Sequence, residues 1–200
     1  MKKTLFTVIL IFFIVAASFG ADFKLGAGGG ANFQGTYGMG WKWNPEDNMA
    51  ALNNNQFGLF LFFDATYAEV DFLFNYGIYT WTGAYEANKK YSGNEFTVEI
   101  SLMGKYPFYL ERFTLFPLLG ISGKFYLGGK SEFYDDDLEK MDTGGLGFLG
   151  GIGADFTLTK RLYLRSEVLY GIKLPWYAHD QLETRVGHGT RIKVGVGYSF

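Results

Sequence analysis

Two histidines, His179 and His188, stand near Asp180 and Glu183 in one polar stretch. A histidine steered by a carboxylate can serve as a general base, so these residues could move a proton at a hydrolase or acyl-transfer site. No clear nucleophile accompanies them, and the simpler reading is a solvated loop. A second candidate is the run Asp135-Asp136-Asp137-Leu138-Glu139, with Glu132 and Asp142 close by. Its oxygens could hold a divalent cation, but it lacks the glycine and the ligand spacing of a calcium loop. The segment Gly145-Leu146-Gly147-Phe148-Leu149-Gly150 has the spacing of a dinucleotide-binding turn. That turn must open a helix, whereas the residues that follow alternate as a strand. No catalytic, cofactor-binding or metal-binding residue is therefore assigned.

The charges embedded within apolar segments are more informative. Glu69, Asp71, Glu99, Lys105, Lys124, Asp155, Arg165, Glu167, Lys173, Arg191 and Lys193 each fall at every-other-residue positions opposite large apolar side chains. That period belongs to a β-strand, whose side chains point alternately to its two faces. Charges of both signs on one face predict a network of ion pairs, since an isolated buried charge is costly. Asp155 and Arg165 are spaced to meet across a hairpin. Lys124, Lys173, Arg191 and Lys193 crowd toward one end. They suggest an anion-attracting vestibule unless acids such as Asp136 or Glu183 neutralise them.

These residues must be positioned by strands. Eight alternating segments are predicted, at about 22–34, 56–63, 67–81, 95–106, 113–127, 146–157, 162–174 and from about 190 to the end. The gaps between them run long, short, long, short, long, short, long. Short turns thus lie at one end and long loops at the other, as in an up-and-down barrel whose segments suit a tilted transmembrane strand. The run from Phe57 to Phe63 is apolar on both faces and hides its orientation. Pro117 falls inside the fifth segment, which predicts either a later strand start or a bulge.

An eight-stranded barrel has a lumen only wide enough for side chains. The Phe, Tyr, Leu, Ile and Val faces would overfill it, whereas the faces rich in Gly, Ser and Thr fit. The apolar faces are therefore predicted to point outward. Gly26, Gly28 and Gly30 are read as relieving crowding inside. Aromatics gather near segment ends: Tyr79, Trp81, Trp176, Tyr177, Trp41 and Trp43 at one end, and Tyr67, Tyr106, Tyr163, Tyr198 and Phe200 at the other. Two interfacial girdles are expected from them.

The chain of 200 residues fits one domain, with 28 glycines, 4 prolines and no cysteine. Without cysteine there is no disulfide scaffold, thiolate metal site or lipid-modified cysteine anchor. Residues 1–20 read as a secretory signal peptide: Lys2 and Lys3, an apolar stretch from Leu5 to Ala17, then small residues. Its removal leaves residues 21–200 as the barrel, with 16 basic residues against 20 acidic, so no nucleic-acid partner is expected.

The closing stretch Lys193-Val194-Gly195-Val196-Gly197-Tyr198-Ser199-Phe200 places Val194, Val196, Tyr198 and Phe200 on one face and ends on an aromatic. Through Lys193, Gly195, Tyr198 and Phe200 it resembles the C-terminal sorting signal of bacterial outer-membrane β-barrel proteins. With the eight segments and mixed inward charges, residues 21–200 resemble the small eight-stranded barrels of the OmpA transmembrane-domain and OmpX type. That resemblance implies an all-β, antiparallel transmembrane barrel, a lumen filled by a charge network and export to the outer membrane. It also implies insertion by the barrel-assembly machinery, contact with outer-membrane lipid, and a monomer that meets surface ligands through its loops. It implies structural or adhesive work rather than enzymology. A narrow channel for small or apolar solutes and a lipid-modifying enzyme or protease are the alternatives.

Overall fold

The computed structural model describes residues 23–38, 52–82, 90–131, 145–175 and 185–200. The expected leader lies outside these residues. So do the acidic run 132–142, His179 with Asp180 and Glu183, and the girdle candidates Trp41, Trp43, Trp176 and Tyr177.

Nine strands follow in chain order: β1 (Phe23–Gly38), β2 (Leu52–Ala65), β3 (Ala68–Thr82), β4 (Lys90–Lys105), β5 (Phe108–Leu110), β6 (Phe113–Ser131), β7 (Gly145–Thr157), β8 (Leu162–Pro175) and β9 (Arg185–Ser199). Each long strand pairs antiparallel with its sequence neighbours. The ladders β1–β9 and β4–β6 close the sheet into an eight-stranded barrel. From Ala68, successive partners are Gly104, Leu119, Gly150, Tyr170, Thr190, Phe33 and Asn55. The path then returns to β3 at Ile78, ten residues farther on. This stagger belongs to a barrel whose strands tilt by roughly 35–45° from its axis.

The strands run longer than expected at the end bearing the long connections, where β1 reaches Gly38 and β2 begins at Leu52. At the other end the turns are tight. Thr66 and Tyr67 join β2 to β3, with Thr66 in the left-handed region at φ 45°. Between β4 and β6 the chain forms a further short strand where a plain turn was expected. β5 continues β4 in the same register along β6, and between the two the ladder is interrupted at Tyr106 and Pro107.

That interruption accounts for Pro117. The Lys105 N–H donates to the Tyr67 carbonyl on the β3 side at 2.9 Å. Successive residues of a strand hydrogen-bond to alternate sides, so Tyr106 faces β6, where its partner is Pro117. The missing N–H of Pro117 is the missing rung. The strand neither starts later nor bulges at this point; its irregularity lies opposite Phe96 and Thr97, where the register skips Leu127.

Side-chain burial alternates along the strands. Outward residues include Leu119 (75% exposed), Leu59 (72%) and Ile152 (68%), whereas Glu69, Glu99 and Lys193 are wholly buried. Phe74, Ile100 and Val168 also lie on the outward faces, with Phe72 beside them. On the ambiguous β2, Phe57, Leu59 and Leu61 point out and Phe60 and Phe62 point in.

The lumen is greasier than the expected Gly, Ser and Thr lining. Met103, Phe116, Leu118, Leu149 and Leu169 form one internal cluster, and Phe60, Phe62, Leu73 and Tyr163 another. Glycines make room for them: a Cβ on Gly26 would strike the Phe62 ring, and one on Gly197 the Tyr163 ring.

Candidate functional site

Alternation on β1 to β4 and β6 to β9 delivers charged side chains to the lumen in layers. Nearest the turns, Arg165 binds Asp155 as a fork: Nε donates to Oδ1 and an Nη to Oδ2, both at 2.7 Å. Its remaining donors reach Glu69 on β3 and Asp64 on β2. Lys105 also donates to Asp64 and lies 3.5 Å from Glu69, while Lys24 lies 3.5 Å from Asp155. The guanidinium sits 4.5 Å from the Phe62 ring centre and 5.1 Å from that of Phe116, so π-faces stabilise what the carboxylates leave uncovered.

Midway along the lumen, Lys193 donates to Asp71 and lies 2.6 Å from Glu167 and 3.6 Å from Glu69. Glu69, Asp71 and Glu167 are close enough together to hold a metal ion. The Lys193 ammonium already stands among them as the counter-charge, and the set does not fit a divalent cation beside it.

Farther from the turns, Glu99 meets Arg191 at 2.6 Å and Lys173 at 2.9 Å. In the outermost layer Glu95 accepts from Lys124 and from Asn54, each at 2.7 Å, and from Gln56, to which Asn32 donates.

All eleven charged residues singled out from the sequence are lumen residues. With Asp64, Glu95 and Lys24 they make seven carboxylates and seven cations among the described residues. Lys124, Lys173, Arg191 and Lys193 are met by Glu95, Glu99, Asp71 and Glu167 from the barrel wall. Each of those four cations therefore has a carboxylate partner on the barrel wall. Asp64 lies one residue beyond the predicted second segment, 56–63, and still belongs to β2. Its every-other-residue spacing from Phe60 and Phe62 was the available signal, masked by the apolar run on both sides.

In the closing strand, Lys193 and Gly195 face the lumen and Phe200 stands exposed at the outer rim. Tyr198 accepts a hydrogen bond from Arg161 at 2.8 Å, and its ring lies 5.2 Å from that of Phe200. An aromatic rim does form at the turn end: Tyr67 meets Tyr106, Tyr106 meets Phe108, and Phe113 meets Phe156. Tyr163 and Tyr79 do not belong to the girdles. Both turn inward and are buried, because their strand parity is that of the charged residues. His188 sits beside Tyr170, 3.2 Å from its hydroxyl. The segment Gly145 to Gly150 opens β7 rather than a helix.

An interior closed by ion pairs and an exterior of Leu, Ile, Val and Phe define a membrane-spanning β-barrel. No protein-family model matches the sequence, and no curated protein does. Among solved structures, outer membrane protein W of E. coli is similar over 90% of this chain and 98% of its own, at 17% identity and a TM-score of 0.52. Neisserial surface protein A is similar over 89% and 97%, at 12% identity and a TM-score of 0.42. Ail, the attachment invasion locus protein of Yersinia pestis, is similar over 90% and 99%, at 13% identity and a TM-score of 0.42. The fold is that of the small eight-stranded outer-membrane barrels.

Proposed function

We propose that this chain is an integral protein of a bacterial outer membrane, exported by its N-terminal segment and inserted through recognition of its last strand. It acts as a structural or surface-interaction protein through the four connections at residues 39–51, 83–89, 132–144 and 176–184. The carrying observation is the closed lumen. Arg165 with its three carboxylate partners, backed by Phe62 and Phe116, fills the cross-section near the turns. Such a barrel holds its walls rigid and leaves binding to the loops. In this reading the protein is a monomer without a cofactor, and neither His188, held against Tyr170, nor His179 performs catalysis.

Planar-bilayer recording and fractionation test the proposal. The protein is expected in the detergent-requiring outer-membrane fraction, and the purified barrel is expected to show no steady conductance. A stable solute-selective current would favour the narrow channel. Recovery in the soluble fraction would remove the membrane assignment. His179→Ala and His188→Ala variants that lose an envelope activity while folding normally would restore the enzymatic alternative.

A further inference from the structure

Among the described residues the lumen is neutral as a whole but not layer by layer. The outer two layers hold Lys124, Lys173 and Arg191 against Glu95 and Glu99, one positive charge in surplus. The inner layers hold Lys24, Lys105, Arg165 and Lys193 against Asp64, Glu69, Asp71, Asp155 and Glu167, one negative charge in surplus.

Two small cavities, each about 10 Å3, flank Arg191, one of them reaching down to the level of Lys193. The one nearer the barrel centre is walled by Asn32, Phe60, Leu73, Asn75, Arg191 and Lys193, with further residues of β1 and β2 completing it, and no carboxylate lines it. Arg191 is 3% exposed and spends one Nη on Glu99, while its Nε and other Nη have no acceptor in the protein. The amide nitrogen of Asn75, which also lines this cavity, is likewise buried without an acceptor. Those unpartnered lining atoms are all donors. A space of this size admits one small species. Three donors and a local positive charge select one that only accepts.

We propose that this cavity binds a single halide ion, chloride under physiological conditions, held by Arg191 and Asn75. The ion neutralises the surplus cation of the outer lumen. It also satisfies two guanidinium donors and an amide donor that would otherwise remain buried and unpaired, a costly state. Glu99, paired with the cavity-lining Leu73 across the β3–β4 ladder, fixes the orientation of the guanidinium through the 2.6 Å contact. Water is the competing occupant; it accepts equally well but carries no charge to offset.

Crystals of the purified barrel soaked in bromide, with data collected at the bromine absorption edge, test the site directly. The expected result is one anomalous peak between Arg191 and Asn75. In parallel, thermal unfolding is followed as chloride replaces gluconate at constant ionic strength. The melting temperature is expected to rise by about 2–4 °C as the site fills. Arg191→Gln should abolish both signals. Because that variant also strips Glu99 of a partner and risks misfolding, Asn75→Asp serves as the second. It supplies a built-in anion beside Arg191, so the barrel should fold and melt independently of chloride, with no bromide peak. An ordered oxygen with no anomalous signal and a melting temperature indifferent to chloride would overturn the proposal in favour of water. Halide dependence that survives in Asn75→Asp would overturn it as well, by placing the ion elsewhere.

Discussion

Arg165 gathers carboxylates from three strands: Asp64 on β2, Glu69 on β3 and Asp155 on β7. Removing it would leave those acids buried without their shared cation, the situation in which a broken internal ion pair is most costly. Arg165→Met is expected to lower unfolding stability by about 3–5 kcal/mol, read from urea titrations of the barrel in lipid vesicles. Arg165→Lys should fall between that variant and the parent, because it keeps the charge but cannot reproduce the two-pronged bond to Asp155. Much of this site is legible in the sequence, since alternate spacing alone assigns a face to Glu69, Glu99, Arg165 and Glu167. What spacing cannot supply is distance across the lumen. The Asp155–Arg165 pair is local to one hairpin and could be anticipated. Lys193 meeting Asp71 depends on strands far apart in sequence and on the stagger of the whole barrel.

At the level of strands, the glycines and prolines decide what fits. Phe60 and Phe62 turn inward on a strand whose other face is equally apolar, and the room for them comes from glycines of β1 and β9. That room is a property of facing strands, so β2 by itself gives no sign of it. Gly197 offers a clean test, because a Cβ there would meet only atoms of the Tyr163 side chain among its nearest neighbours. Gly197→Ala is expected to destabilise the barrel by about 1–3 kcal/mol through overpacking. In a Tyr163→Val background the same change should be close to neutral, and a double-mutant cycle measures the coupling. Pro117→Ala should behave in the opposite sense. It restores a donor facing Tyr106 and is expected to be neutral or to stabilise by up to about 1 kcal/mol in the same assay.

For the molecule as a whole, the solvent that surrounds the cylinder sets the penalties. Val168 lies midway along β8 on the outward face, while Asn55 on β2 marks where that face turns polar. Val168→Lys is expected to reduce stability in vesicles by about 2–4 kcal/mol, and Asn55→Lys by no more than about 1. Equal effects at the two positions would contradict a hydrocarbon environment. The number, order and pairing of the long strands were readable because lipid and a narrow lumen impose strict alternation and regular turns. Strand ends were less readable: the polar Asn53, Asn54 and Asn55 look like loop residues yet extend β2, because their backbones still find partners on β1 and β3.

The placement of cations on the last strand couples charge balance in the lumen to closure of the wall. β9 supplies both Arg191 and Lys193, whereas Glu99, Asp71 and Glu167 belong to strands synthesised before it. A nascent sheet of seven staves therefore carries two negative charges in surplus among the described lumen residues, with Asp71 lacking its cation while Glu99 keeps Lys173, and it is expected to resist sealing around them. Docking of the final stave quenches that excess as it zips against β1. A chain cut before Arg185 should consequently remain protease-sensitive and urea-labile even when lipid is plentiful, so the seam that completes the wall also licenses it to close.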